Sequence, residues 1–364
     1  MVDQPALRAA IEQVEDPQLH RPLGQLGMLR ELRVRRGGRV RAVISLPVPD
    51  HPGKDDLAHA VSAAARSVPG VGEVEVYYDV MPEQDRLRVA HQIRGDGREI
   101  DIGKPGSPTR VLAVGSGKGG VGKSSVTANL AVALVREGHS VGVIDADVWG
   151  FSIPKMLGVQ GSPAVLGKML LPVEAHGVRV VSMDFFVDAD QAVIWRGPML
   201  HKAVEQFLVD VFWDQPDFLL VDMPPGTGDV AISLSQFLPR AEAIIVTTPQ
   251  PTAQRVARRA ALMAEKVNQE VLGVVENMSW FRGDDGTRYN LFGEGGGALL
   301  AEELDVPLLA QIPLVPAMRS GADEGKPFTE AAPDSEAAEA FLKLAAEVLA
   351  RRPRVRTHPE LVIK

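Results

Sequence analysis

Eight consecutive residues, Gly117-Lys118-Gly119-Gly120-Val121-Gly122-Lys123-Ser124, follow the pattern G-x-x-x-x-G-K-[ST]. Glycines at this spacing let backbone N–H groups and the start of a following helix close around phosphate oxygens. Lys123 supplies a point charge for the β- and γ-phosphates, Ser124 offers a hydroxyl to Mg²⁺, and Ser125 extends the phosphate-binding run. Acids follow further along. Ile144-Asp145-Ala146-Asp147 places two carboxylates just past an apolar run, and Leu219-Leu220-Val221-Asp222 ends another. Asp222 is the hard oxygen ligand expected near Mg²⁺, Asp147 is placed to reach the metal or orient an attacking water, and Asp145 to do either or to brace the loop. An isolated acid at a strand end usually caps a helix; three of them beside a phosphate loop carry the chemical reading. Gly226 and Gly228, in the loop after Asp222, leave it free to rearrange around a γ-phosphate. Asn277, read as lying just past a strand that ends at Glu276, offers an amide to a base edge, and Pro313 an apolar face to the base.

These side chains need a scaffold that brings strand ends together. Arg110-Val111-Leu112-Ala113-Val114 reads as a strand and Ser125 to Val135 as a helix, the context the phosphate loop requires. From Arg110 onward, apolar strands (111–114, 141–144, 178–183, 218–221, 243–246, 272–275 and 308–312) alternate with helical patterns, and Ala337 to Ala350 closes the series. Near-continuous apolar strands between helices predict a mainly parallel sheet covered on both faces, the α/β architecture of a P-loop NTPase. Ligands of such sheets gather at the carboxyl ends of the strands.

The first 93 residues have a different texture. A helix over 4–14, two strands around Gly37-Gly38, a helix over 55–68 and an alternating strand over 74–80 predict a small α+β domain. Residues 94–109 are rich in Gly, Pro and charge and read as a linker, 110–352 as the ATPase-type domain, and 353–364 as a basic tail.

Composition bounds the rest. A net charge of −8 argues against a general nucleic-acid binder. No run approaches the apolar length of a membrane span, and the N-terminus lacks a signal-peptide core, so a cytoplasmic protein without membrane association is expected. The chain contains no cysteine, which removes disulfides, thiolate nucleophiles and any all-cysteine zinc or iron–sulfur site made by this chain alone.

With these motifs in view, the chain resembles the Mrp family of deviant P-loop ATPases, within the group that includes ParA- and MinD-type proteins. The resemblance rests on Lys118–Ser124, Asp145–Pro154, Trp195-Arg196-Gly197-Pro198-Met199, Val221–Asp229, Glu276–Ser279 and Ile312–Leu314, and spans 110 to about 350. Residues 1–93 resemble, more weakly, the small iron–sulfur-assembly domain that often precedes such ATPases, through Glu15-Asp16-Pro17, Leu26-Gly27-Met28 and Pro69-Gly70-Val71. The resemblance implies a homodimer with ATP at its interface and Lys118 reaching the partner's phosphates. It implies roles for Asp147 in positioning water, Asp222 near Mg²⁺ and Asn277 against adenine. It also implies ATP-dependent delivery of an iron–sulfur cluster to apoprotein or assembly-protein clients. The pattern departs where cargo would bind. The family's Cys-x-x-Cys after Glu-Asn-Met-Ser is replaced by Trp280–Tyr289, and the small domain's Cys-Pro is His51-Pro52. Asp284, Asp285 and His51 are weak metal candidates, better read as turn and loop residues. A nucleotide-gated adaptor with no cluster of its own is therefore a rival reading, and a ParA- or MinD-type positioning ATPase another.

Overall fold

The computed structural model describes residues 2–94, 100, 102–103, 106–148, 150–186, 197–226 and 229–351. The chain divides into two units, Met1–Arg98 with Pro163–Leu171, and Glu99–Ser162 with Pro172–Lys364.

In the first unit, helix α1 (Gln4–Glu12) starts where the Asp3 carboxylate accepts from Ala6 N–H and Pro5 sits in the opening turn. A short α2 (Leu23–Leu26) ends at Gly27 in the left-handed conformation. Strands β1 (Leu29–Val34) and β2 (Val40–Leu46) form the hairpin expected around Gly37-Gly38, both with positive φ. Helix α3 (Lys54–Arg66) carries the chain back so that β3 (Val74–Val80) runs parallel to β2. One sheet face buries Val40, Ala42, Ile44 and Leu46 together with Leu7, Ile11, Leu57 and Val61. Helix α4 (Glu83–Arg94) follows.

The second unit is built on a nine-stranded sheet. Its elements open with β4 (Arg110–Ser116), α5 (Lys123–Arg136), β5 (Val141–Asp145) and α6 (Ile153–Met156). The chain then leaves for a hairpin, β6 (Ala164–Leu166) and β7 (Met169–Leu171), that belongs to the first unit. There Leu166, Met169 and Leu171 are buried, and Gly167 lies so close to Leu87 and Ala90 of α4 that a side chain would press on both. By sequence position this segment falls within the 110–352 domain, so the division of the chain differs there from the expected one. The chain returns through β8 (Val173–Ala175), β9 (Val178–Ser182) and a 3-10 turn, Met183–Phe186, so the strand expected over 178–183 stops one residue short. It continues as α7 (Gly197–Val209), β10 (Phe218–Asp222), α8 (Asp229–Phe237), β11 (Glu242–Thr247), α9 (Pro251–Lys266), β12 (Glu270–Arg282), β13 (Arg288–Tyr289), α10 (Gly296–Glu303), β14 (Leu308–Leu314), α11 (Pro316–Glu324), α12 (Phe328–Ala331) and α13 (Glu336–Ala350).

The sheet order is β13-β12-β11-β4-β10-β5-β9-β8, with β14 paired to β12. The pairings among β14, β12, β11, β4, β10, β5 and β9 are parallel, and β8 and β13 are antiparallel additions. Both central faces are covered, which explains why β5, β10 and β11 are buried at every position. Helix α5 is buried from Val126 to Leu134, because it packs into the cluster that also holds Leu112, Val143, Leu220, Phe341 and Leu344. Strand β10 lies between β4 and β5, so Asp222 pairs with Val114 on one side and Asp145 on the other. Strand order thus brings the phosphate loop and two of the acids to one sheet end.

One boundary departs from expectation at a site residue. Strand β12 does not end at Glu276 but runs to Arg282, so Asn277 lies inside it. Met278, with φ of 57°, breaks the register with β14, and the strand then continues as an arm paired with β13.

Candidate functional site

The loop between β4 and α5 takes its shape from its glycines. Gly120 and Gly122 both have φ of 79°, where an L side chain is strained. Gly117 answers a different need, since a Cβ there would meet the backbone of Val256 and Ala257 in α9. A Cβ on Gly122 would strike Asn277. The Asn277 amide donates to Val121 O at 2.9 Å and so ties β12 to the loop. Pro313, next to Ile312, the register partner of Asn277, is buried.

Of the side chains expected from sequence to be catalytic, Lys123 and Asp147 gather near the Asp222 carboxylate, and Lys118 does not. Asp222 is fully buried, and its Oδ2 accepts from Lys123 Nζ at 2.6 Å and from Ser124 Oγ at 2.6 Å. Its Oδ1 accepts from Thr127 Oγ1 at 2.7 Å. Lys123 Nζ also lies 3.2 Å from Ser124 Oγ and 3.5 Å from Asp147 Oδ2. Thr127 was not singled out in the sequence. Its signal was available, since four residues after Lys123 it falls on the same helix face, but an isolated threonine in a buried helix carries no chemistry until the strand beside it is known.

Asp145 makes a separate arrangement. Its Oδ1 accepts from Asp147 N–H, and its Oδ2 from Ser152 N–H and Ile153 N–H, all at 3.2 Å, with Ser182 Oγ at 3.3 Å. This is the geometry of a brace, folding the loop after β5 back onto the strand end. Burial, with the Asp222 charge beside it, pushes the Asp145 carboxyl up to about 7, against the pull of the Ile153 and Ser152 N–H groups and Lys123. Ser125 starts α5 beside Ser124, and its carbonyl accepts from Asn129 Nδ2 at 2.9 Å. Lys118 Nζ donates to Gln250 Oε1 at 3.2 Å, Gln250 being the residue that precedes α9. The loop after Asp222 is stitched to β4 by Met223 N–H to Val114 O at 3.0 Å and Gly226 N–H to Ser116 O at 2.8 Å. Gly228, Trp195, Arg196 and the basic tail 353–364 lie outside the described residues.

The donors suit Mg²⁺. Ser124 and Asp222 present hard oxygens 2.6 Å apart, and Mg²⁺ commonly takes one or two protein oxygens beside phosphate and water. A cluster site is a different matter. Among the described residues no group of three or more His, Asp or Glu side chains is placed to hold a metal. Asp285 accepts from Thr287 N–H and Oγ1 at 2.9 Å, which makes it a turn residue. Two arginines of the arm, Arg282 and Arg288, pair with Glu336 at the start of α13, and their hydrogen bonds hold that carboxyl down at about 2. His51 is buried in the first unit, with Nε2 3.0 Å from Asp16 Oδ2 and Nδ1 accepting from Gly53 N–H at 3.3 Å. It locks two loops together.

Comparison with known proteins agrees with this geometry. A family model described as NUBPL iron-transfer P-loop NTPase matches residues 107–349, and one described as iron-sulfur cluster assembly protein matches residues 4–76. The chain belongs to this NTPase family. It is 46% identical over 358 residues to an iron-sulfur cluster carrier protein of Mycobacterium leprae, covering 96% of this chain and 94% of that one. It is 40% identical to a protein of the same name from Synechocystis, covering 96% and 97%. Among solved structures, a nucleotide-binding protein of Archaeoglobus fulgidus in complex with ADP aligns with a TM-score of 0.56 at 36% identity, over 64% of this chain and 93% of that one. The septum site-determining protein MinD of Pyrococcus horikoshii, complexed with Mg-ADP, aligns at 0.50 with 29% identity, over 66% and 97%. The chain is a P-loop ATPase with the MinD-like sheet. Among the described residues no helix is long and apolar enough to cross a membrane.

Proposed function

We propose that this protein is a Mg²⁺-dependent ATPase of iron–sulfur cluster delivery, acting as a cytoplasmic homodimer, whose cluster is held by thiolates of a partner. The observation that carries the catalytic half is the Lys123–Asp222–Ser124 triangle at the mouth of the phosphate loop. Without nucleotide, Asp222 is the counter-ion of Lys123. The β- and γ-phosphates of ATP would take that place, and Ser124 Oγ and Asp222 Oδ2 would hold the metal. Mg²⁺ supplies charge neutralisation across the phosphates. The residues of the chain do the positioning. Backbone N–H groups from Gly117 to Ser125 cradle the phosphates, Asp147 orients the attacking water, and Asp145 braces the loop that carries Asp147. Asn277 and Pro313 flank the base. Lys118 leaves Gln250 and reaches the phosphates bound by the second copy, stabilising the charge that develops in phosphoryl transfer.

The delivery half is supported by the match of nearly the whole chain to cluster carrier proteins and shaped by the absence of cysteine. With no thiolate of its own, the protein serves clusters by clamping client or assembly proteins in an ATP-dependent way. The test is anaerobic transfer from a cluster-loaded, thiolate-bearing assembly protein to an apoprotein, with ATP, with ADP, and with Lys123→Ala. ATP accelerates transfer with the native protein, and Lys123→Ala abolishes both hydrolysis and the acceleration. Unchanged hydrolysis in Lys123→Ala overturns the site assignment. Hydrolysis without any effect on transfer overturns the delivery reading.

A further inference from the structure

Thr127 is fully buried in α5, and its hydroxyl has two acceptors within reach: Lys123 O at 3.1 Å, one turn back, and Asp222 Oδ1 at 2.7 Å. A hydroxyl carries one proton. The shorter contact, to an ionised acceptor, is the stronger of the two, so the proton goes to Asp222. We propose that Thr127 is the positioning residue of the metal site: it pins Oδ1 of Asp222, so that Oδ2 is the oxygen presented to Mg²⁺ whether or not Lys123 is bonded to it. The proposal rests on the P-loop reading above.

The geometry separates the two oxygens by task. Oδ2 has the partners that nucleotide binding rearranges, Lys123 Nζ and Ser124 Oγ. Oδ1 has Thr127, which sits on a helix buried from Val126 through Leu134 and packed into the core of the sheet. When Lys123 leaves for the phosphates, Asp222 loses the stronger of its tethers. Without a second one, its carboxylate is free to rotate about χ2, a broad torsion in a carboxylate side chain, and the oxygen facing the metal is no longer defined. Thr127 holds it. The same logic of an outer hydrogen bond fixing a ligand's orientation operates at many metal sites.

The test uses the full chain with Thr127→Val, which keeps the shape and removes the hydroxyl, Thr127→Ala, which cannot clash, and Thr127→Ser, which keeps the donor. Mn²⁺, a spectroscopic stand-in for Mg²⁺, is titrated into the ADP complex and followed by electron paramagnetic resonance. ADP affinity is measured separately in chelator, and the Mg²⁺ concentration for half-maximal hydrolysis gives a third readout. Loss of a hydrogen bond to a charged group predicts Mn²⁺ binding weakened by about ten- to a hundred-fold in Val and Ala, ADP binding in chelator within about two-fold of the native protein, and affinity restored in Ser. A purely structural role would lower the melting temperature without moving the metal midpoint. Native Mn²⁺ affinity in a folded Val or Ala variant overturns the proposal, as does equal weakening in Ser. If Thr127→Val does not fold, Thr127→Ala decides by the same criterion. Lys123→Ala distinguishes the two layers: retained nucleotide binding there refutes the P-loop reading itself, whereas lost binding there with an unmoved metal midpoint in the Thr127 variants refutes only Thr127.

Discussion

Gly117 and Gly120 stand three residues apart in one loop, yet substitution should harm them by different physics. A methyl group on Gly117 would sit 2.1 Å from the Val256 carbonyl carbon and 2.3 Å from the Ala257 nitrogen, where ordinary contact begins near 3.4 Å. The obstacle is helix backbone, which cannot rotate aside. Either the loop or α9 must retreat by about 1.3 Å, and α9 is seated against Ala243, Ile245 and Val274 of the sheet through Ala257, Ala261 and Ala264, small residues that permit close approach. Overpacking of this kind costs about 1–3 kcal/mol, or roughly 3–10 °C in melting temperature for a unit of this size. Gly120, by contrast, has nothing within 4 Å of a Cβ, but its φ of 79° lies in the left-handed region. Alanine there costs about 1–2 kcal/mol of conformational strain and displaces no neighbour. The assay is thermal unfolding combined with hydrogen exchange. Gly117→Ala should lower stability and raise exchange at the start of α9, around Gln250–Ala257. Gly120→Ala should lower stability and leave α9 protected. A Gly117→Ala protein that melts like the native one, or an exchange pattern in α9 identical in the two variants, refutes the steric account of the loop.

Lys118→Ala should spare most ATP binding and slow hydrolysis by one or more orders of magnitude, as loss of a charge-stabilising finger does; unchanged turnover by phosphate release removes its cross-dimer role. Asp145 has a folded-state pKa raised from 3.8 to about 7, so the folded state binds the extra proton between those values. Its contribution to stability is full below about pH 4 and is lost as pH rises through 7, with a slope of at most about 1.4 kcal/mol per pH unit. Denaturant melts of the nucleotide-free protein across that window should show the decline, and Asp145→Asn should flatten it; an unaltered slope in the variant assigns the effect elsewhere. His51→Ala removes the ring 3.0 Å from Asp16 Oδ2 while Asp16 Oδ1 keeps the Gln18 and Leu19 N–H donors, and should destabilise the first unit by about 1–3 kcal/mol, the cost of leaving one buried polar atom unmatched. A native melting profile would show that the two loops need no such lock.

Much of the site was readable because it is local. The phosphate loop is eight contiguous residues, and the strand before it and the helix after it show their own periodicities. The acids at 145, 147 and 222 stand out because each follows an apolar strand, and ligands collect at strand ends. What was not readable depended on partners distant in sequence. Asn277 is expected past the end of a strand, but β12 runs on to Arg282 because, after the register shift around Met278, Phe281 pairs with both β13 and Leu314 of β14. Pro163–Leu171 falls within the sequence span of the second domain, yet Leu166, Met169 and Leu171 are buried in the first unit. His51 reads from sequence as a loop histidine, and its burial against Asp16 emerges only when loops 35 residues apart in sequence are folded together.

The chain's own residues determined the phosphate loop, the alternating α/β texture and the lack of any thiolate, since each is a property of adjacent residues or of composition. The tertiary structure alone decided how the acids divide their partners. Strand β10 inserts between β4 and β5, and that order sets Asp222 against Lys123, Ser124 and Thr127 while leaving Asp145 to brace its loop. Two aspartates at equivalent strand ends differ only in what lies across the strand, and hydrogen bonding across neighbours is a three-dimensional fact that no local pattern encodes.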